Sequence, residues 1–76
     1  MDEKEIRTRA VRVVRLLSGQ VRAEVIFYLR ETGERYAFEI RNPRGKKPYS
    51  IVDGARYDLG PHEVKKLREE LERVGA

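Results

Sequence analysis

Seventy-six residues, 39% apolar and 39% charged, specify one small domain near the size at which a single core holds without covalent staples. The chain has no cysteine, which excludes a disulfide framework and thiolate metal sites, and no apolar run approaches the ~18 residues of a membrane span. Seventeen basic and thirteen acidic residues give a net charge of +4.

The opening Met-Asp-Glu-Lys-Glu lacks the basic-then-apolar layout of a signal peptide, so the expected setting is cytoplasmic. Asp2 suits a helix N-cap, with Glu3 and Glu5 in the first turn where negative charge complements the helix dipole. Ile6, Ala10, Val13, Val14 and Leu17 then recur at helical spacing. Val11 and Leu16 widen that face, and Arg9, Arg12 and Arg15 form a basic stripe beside it. Ser18-Gly19 ends the segment, with Gly19 as a left-handed cap. The expectation is a first helix.

From Gln20 the period changes to two. Val21, Ala23, Val25, Phe27 and Leu29 share one face; Arg22, Glu24, Ile26, Tyr28 and Arg30 share the other. Glu31-Thr32-Gly33-Glu34 is a hairpin, after which Tyr36, Phe38 and Ile40 continue the buried face opposite Arg35, Ala37, Glu39 and Arg41. Asn42-Pro43-Arg44-Gly45 is a second turn, its glycine expected in the left-handed region. Tyr49, Ile51 and Val52 make a third strand. Asp53-Gly54 signals a two-residue hairpin, leading to Ala55, Tyr57 and Leu59 as a short fourth strand or the tail of a bent third.

Gly60-Pro61 opens the last helix with proline at its first position. Val64, Leu67, Leu71 and Val74 form its apolar stripe, and Gly75 ends it. Residues 1–76 therefore read as one α+β domain of order α-β-β-β-(β)-α. The expected packing is an antiparallel meander with both helices on one face and the other face open.

No catalytic constellation stands out. His62 is the only histidine, and no serine, cysteine or paired carboxylate sits at a recognisable spacing from it, so it reads as a surface residue; a hydrolase would require it. Glu69, Glu70 and Glu72 form a solvated helix face rather than a metal site. Phosphate loops of the GxxxxGK[ST] or GxGxxG type are absent. No enzyme activity, metal or cofactor is expected.

The informative feature is charge placement. Arginine outnumbers lysine twelve to five, and the stretch from Arg7 to Arg56 holds twelve basic against five acidic residues, a net +7. The open face displays Arg22, Arg30, Arg35, Arg41 and Arg56 around Ile26, Tyr28 and Ala37. The following turn adds Arg44, Lys46 and Lys47. Guanidinium groups that follow phosphates, around a ring that can stack a base, are the parts of a platform for single-stranded or irregular RNA. RNA or another polyanion is the partner this predicts, without membrane or metal. The same charges also fit a solvated face on which Glu24 and Glu39 cross-pair with arginines. The chain is expected to be a monomer, or a homodimer through an edge strand or through Ile26 and Tyr28.

Residues 20–73, with a tight glycine turn, a strand of alternating aromatics and the run Val64-Lys65-Lys66-Leu67, resemble the small Alu-RNA-binding subunits of the signal recognition particle. That resemblance implies RNA contacts at Arg22, Arg35, Arg41, Arg44, Lys46 and Lys47. The topology and the Lys65-Lys66 pair also resemble double-stranded-RNA-binding domains, although Gly60-Pro61-His62 opens the helix here instead of lying between the first two strands. HicA-type toxin ribonucleases share the order too, but Gly33 is followed by Glu34, Arg35 and Tyr36, with no catalytic histidine. Finally, the regular caps and turn residues resemble an idealised designed protein. Design implies a structural or protein-interaction domain without native catalytic or nucleic-acid function, and its ion-rich surface suits a thermostable chain.

Overall fold

The computed structural model describes residues 6–29 and 32–75. Among these, the chain runs through β1 (Ile6–Arg15), β2 (Val21–Leu29), β3 (Arg35–Glu39), β4 (Tyr49–Val52), β5 (Ala55–Asp58) and α1 (Pro61–Arg73). The class is α+β. Strands β1, β2 and β3 form one antiparallel sheet in that order, and β4 pairs with β5 in a second. An antiparallel bridge between Arg41 and Tyr49 joins the two sheets.

The segment expected to be the first helix is the strand β1. Five of its ten residues are β-branched (Ile6, Thr8, Val11, Val13 and Val14), which lose side-chain freedom in a helix and pack well on a pleated surface. β2 supplies the partner, in a regular register from Thr8↔Tyr28 to Arg15↔Val21. Strand alternation turns Val11 and Val13 into the core, where Val13 is buried. Leu17, assigned to the helix's buried stripe, instead stands fully exposed at the tip of the β1–β2 turn, with Leu16 exposed beside it. The Leu16 N–H donates to the Gln20 carbonyl at 2.7 Å and the Gly19 N–H to the Leu16 carbonyl at 2.9 Å. Gly19 takes φ +90°, the left-handed residue of a bulged three-residue hairpin. Asp2, Glu3, Glu5 and the side chains of Ile6 and Arg9 lie outside the described residues.

The arrangement of two helices on one face is corrected accordingly: among the described residues α1 is the one helix on the sheet, lying over β1. The phase of β2 is as expected. Ala23, Val25 and Phe27 are buried toward α1. Phe38 and Ile40 join them from β3 and the residue after it, while Tyr36, expected on that buried face, is 37% exposed. Because α1 lies over β1, the Tyr36 end of β3 is at the margin of the core, and its hydroxyl donates to the Glu34 carboxylate.

The β4–β5 hairpin closes the other side. Asp53 (φ 51°) and Gly54 (φ 79°) both occupy the left-handed region, as a type I′ turn requires. From β4 it is Ser50 and Val52 that turn inward; Ser50 is fully buried, and its hydroxyl donates to the Glu39 carbonyl at 2.9 Å. Tyr57 meets Phe27 edge-on at 5.2 Å, and Phe38 lies 5.8 Å from Phe27, both arrangements that aromatic quadrupoles favour. In the Asn42–Gly45 turn the left-handed residue is Asn42 (φ 56°), not Gly45. Gly45 has a different role: a Cβ there would lie 2.2 Å from the Asn42 amide.

Helix α1 follows its sequence signals. Pro61 occupies the first turn, the Gly60 N–H donates to the Glu63 carboxylate at 2.9 Å, and the Tyr57 hydroxyl donates to the same carboxylate at 2.8 Å. Leu67 and Leu71 are buried, Val64 and Val74 pack against the core, and Gly75 follows at φ 71°. At the far end, Arg15 Nη2 donates to the Val74 carbonyl at 2.5 Å, placing a cation where the helix dipole is negative.

Candidate nucleic-acid interface

Residues directly opposite on paired strands share a face, so the register defines the surface turned away from α1. Its rows are Tyr28–Arg35, Ala10–Ile26–Ala37, Arg12–Glu24–Glu39 and Val14–Arg22. Beyond the bridge the face continues through Arg41–Tyr49–Asp58 and Ile51–Arg56. No helix covers this face among the described residues.

The structure divides the nine predicted residues into groups. Arg22 is held: its Nε lies 3.1 Å from Glu24 Oε2, while Arg12 Nη2 lies 2.6 Å from Oε1. Glu24 is 8% exposed and so accepts one guanidinium on each oxygen. The Arg12 hydrogen bond, with the charges of Arg12 and Arg22 behind it, outweighs desolvation and holds the carboxyl below its ordinary range. Cross-pairing therefore occurs at Glu24, whereas Glu39, directly opposite it, makes no ion pair among the described residues.

Tyr28 and Arg35 form a second group, with the guanidinium carbon 5.2 Å from the ring centroid. Arg41 and Arg56 form a third, gathered by Tyr49. Arg41 exchanges both backbone hydrogen bonds with Tyr49, at 2.6 and 3.1 Å. The Arg56 guanidinium sits 4.0 Å above the Tyr49 ring, its Nε 2.9 Å from Asp58. A guanidinium stacked on a ring offers a flat cationic surface, for cation–π contact below and for a base or phosphate above.

Arg44, Lys46 and Lys47 do not join the open face. The turn carries them around the sheet's end toward the helix. Arg44 lines a groove with Arg68, Leu71 and Glu72, and Lys46 and Lys47 line another with Asp58, Leu59 and Val64. Among the described residues Arg41, Arg44, Lys46 and Lys47 make no ion pair, so four cations within seven residues remain without a carboxylate. Arg30 lies outside the described residues. Ile26, expected exposed beside Tyr28, is buried between Ala10 and Ala37.

Sequence reasoning missed Tyr49 as a site residue. The signal was present: pairing back from the Asp53-Gly54 turn sets Ile51 opposite Arg56 and Tyr49 opposite Asp58, on the face away from Ser50 and Val52. His62 is exposed at the start of α1, in a shallow cleft with Ala10, Val11, Glu63 and Lys66. No group of three or more metal-ligating side chains stands together among the described residues, and no helix there is long and apolar enough to cross a membrane.

Comparison with protein-family models, curated proteins and solved structures finds no match to this chain.

Proposed function

We propose that this chain is a non-catalytic module that binds RNA or another polyanion. The contact surface is the Tyr49 cluster with Arg41 and Arg56, extended around the corner by Arg44, Lys46 and Lys47. Tyr28 with Arg35 is a second stacking point farther along β3. The observation that carries this reading is the run of four cations without carboxylate partners among the described residues, adjoining an aromatic ring already stacked by a guanidinium. Phosphate groups supply the missing counter-charge, and unpaired bases fit the ring and guanidinium planes.

The test is fluorescence anisotropy with a short single-stranded RNA near 50 and near 200 mM salt. The logarithm of affinity falls with the logarithm of salt by about 0.7 per phosphate contacted on a single strand. Changing Arg41, Arg44, Lys46 and Lys47 together to glutamine weakens binding and flattens that slope. Absence of binding near 50 mM salt, or affinity indifferent to salt, refutes the reading.

One observation favours an alternative: a structural or protein-interaction domain, natural or designed, whose charges serve solubility. The Arg12–Glu24–Arg22 triad neutralises part of the face internally. Under that alternative, changing Arg22, Arg35 and Arg41 together to glutamine leaves all partner binding intact.

A further inference from the structure

Strand β1 is an edge of its sheet. The closing hydrogen bond of its hairpin, from the Leu16 N–H to the Gln20 carbonyl, sets which backbone groups it leaves free. In an antiparallel ladder hydrogen-bonded and non-hydrogen-bonded pairs alternate. With Leu16 bonded to Gln20, the even-numbered residues from Val14 back to Thr8 turn their N–H and C=O groups toward β2. Arg9, Val11 and Val13 turn theirs outward. The register is regular from Thr8 to Arg15, the only shift lying between Ile6 and Thr8. Among the described residues this is a long edge presenting unpaired backbone groups, which is a template for another strand.

We infer that the strand it takes is β1 of a second copy, paired antiparallel about a two-fold axis at Ala10. Two conditions, together with the length of β1 left paired, select this register. The axis must run perpendicular to the sheet for the cores to stay on one side, so paired residues must have the same parity. Arginine must also not face arginine, since like charges directly opposite are destabilising. Centring on Arg9 or on Arg12 sets that arginine against its own copy, centring on Val11 sets Arg15 against Arg7, and centring on Thr8 sets Arg7 against Arg9. Centring on Val13 or Val14 avoids such pairs but leaves only residues 11–15 or 13–15 of β1 paired. Centring on Ala10 sets Arg9 opposite Val11, Arg12 opposite Thr8 and Arg7 opposite Val13.

Arg9 and Val11 then form two hydrogen-bonded pairs related by the axis, about four backbone bonds at the centre. Ala10 meets Ala10 as a non-hydrogen-bonded pair, where Cα atoms approach to about 4.5 Å and a small side chain fits best. The product is a closed C2 dimer with a continuous six-stranded sheet and both helices on one side. The two open faces form one surface on the other, independently of what that surface binds.

Sedimentation equilibrium on the full chain tests this. The expected mass at high concentration is twice 8.9 kDa, falling to one copy on dilution; a single-copy mass throughout overturns the inference. Ala10→Lys and Ala10→Glu place like charges across the axis. Each variant alone is expected to dimerise at least tenfold more weakly, and an equimolar mixture to recover a heterodimer. Wild-type dimerisation by both variants alone overturns the register. Should either variant fail to fold, hydrogen exchange on the unaltered chain decides: the Val11 N–H gains protection as concentration rises and the Val13 N–H gains less. A Val11 N–H that exchanges freely at high concentration overturns it.

Discussion

Arg12 and Glu24 stand directly opposite each other on β1 and β2, and the guanidinium closes on the carboxylate through both Nε, at 3.1 Å, and Nη2, at 2.6 Å. With Arg22 on the other oxygen, one nearly buried carboxylate restrains two arginines of the open face. Glu24→Gln removes the charge-assisted acceptor and is expected to lower stability by about 1–3 kcal/mol. It also releases Arg12 and Arg22, so affinity for a polyanion rises while stability falls. Urea unfolding and anisotropy on the same variant read both effects.

The pH dependence has a definite sign. Glu24 is held below its usual value near 4.5, first by the Arg12 hydrogen bond and then by the charges of Arg12 and Arg22 against desolvation. The unfolded chain takes up that proton at higher pH, so the contribution is present above about pH 4.5 and is lost as pH falls through the folded value. Glu70, between Arg73 and Lys66, is shifted in the same direction. Comparing urea midpoints of the unaltered chain and Glu24→Gln through this acid range isolates Glu24: the variant's midpoint declines less steeply.

Leu67 is fully buried where α1 meets the sheet. Leu67→Ala leaves a cavity and is expected to cost about 2–5 kcal/mol, whereas Lys65→Ala, at an exposed position of the same helix, changes stability by no more than about 0.5 kcal/mol. Thermal unfolding of both variants distinguishes an anchored helix from one resting loosely on β1.

At the proposed interface, Tyr49→Ala removes the ring beneath Arg56. The expected loss is about 1–3 kcal/mol of single-strand RNA affinity, the usual contribution of one stacked base. Tyr36→Ala, on the helix side of β3, leaves affinity unchanged. Equal losses for both variants would remove Tyr49 from the interface.

Gly19→Ala forces a side chain into the left-handed region with open space around it, and is expected to cost about 1–2 kcal/mol from backbone strain alone. This residue also shows why the first element was misread. A left-handed glycine ends helices and closes bulged hairpins equally well. In the segment before it, Ala10, Val13, Val14 and Leu17 fit a helical period while Val11 and Val13 fit a strand period. The β-branched content of Ile6–Arg15, followed by a glycine-containing loop and the alternating β2, was the stronger signal.

Other features were legible because one local rule governed each. The phase of β2 followed from strict alternation, the Asp53-Gly54 turn from its positive φ angles, and the start of α1 from Pro61. The site was legible only in part. Arg35 beside Tyr28 follows from cross-strand pairing. The turn that takes Arg44, Lys46 and Lys47 to the helix side depends on the direction set by Asn42 at φ 56°, which no periodicity encodes. Burial of Ile26 likewise came from neighbours on two other strands.

The packing of α1 on β1 brings the first and last described elements together, and Arg15 seals it by bonding residue 74. Val11 and Val13 must therefore wait for Leu67 and Leu71 to be synthesised before their cover exists. Such non-local closure slows folding, and a nascent or truncated chain ending before Pro61 would present a bare apolar sheet to its surroundings.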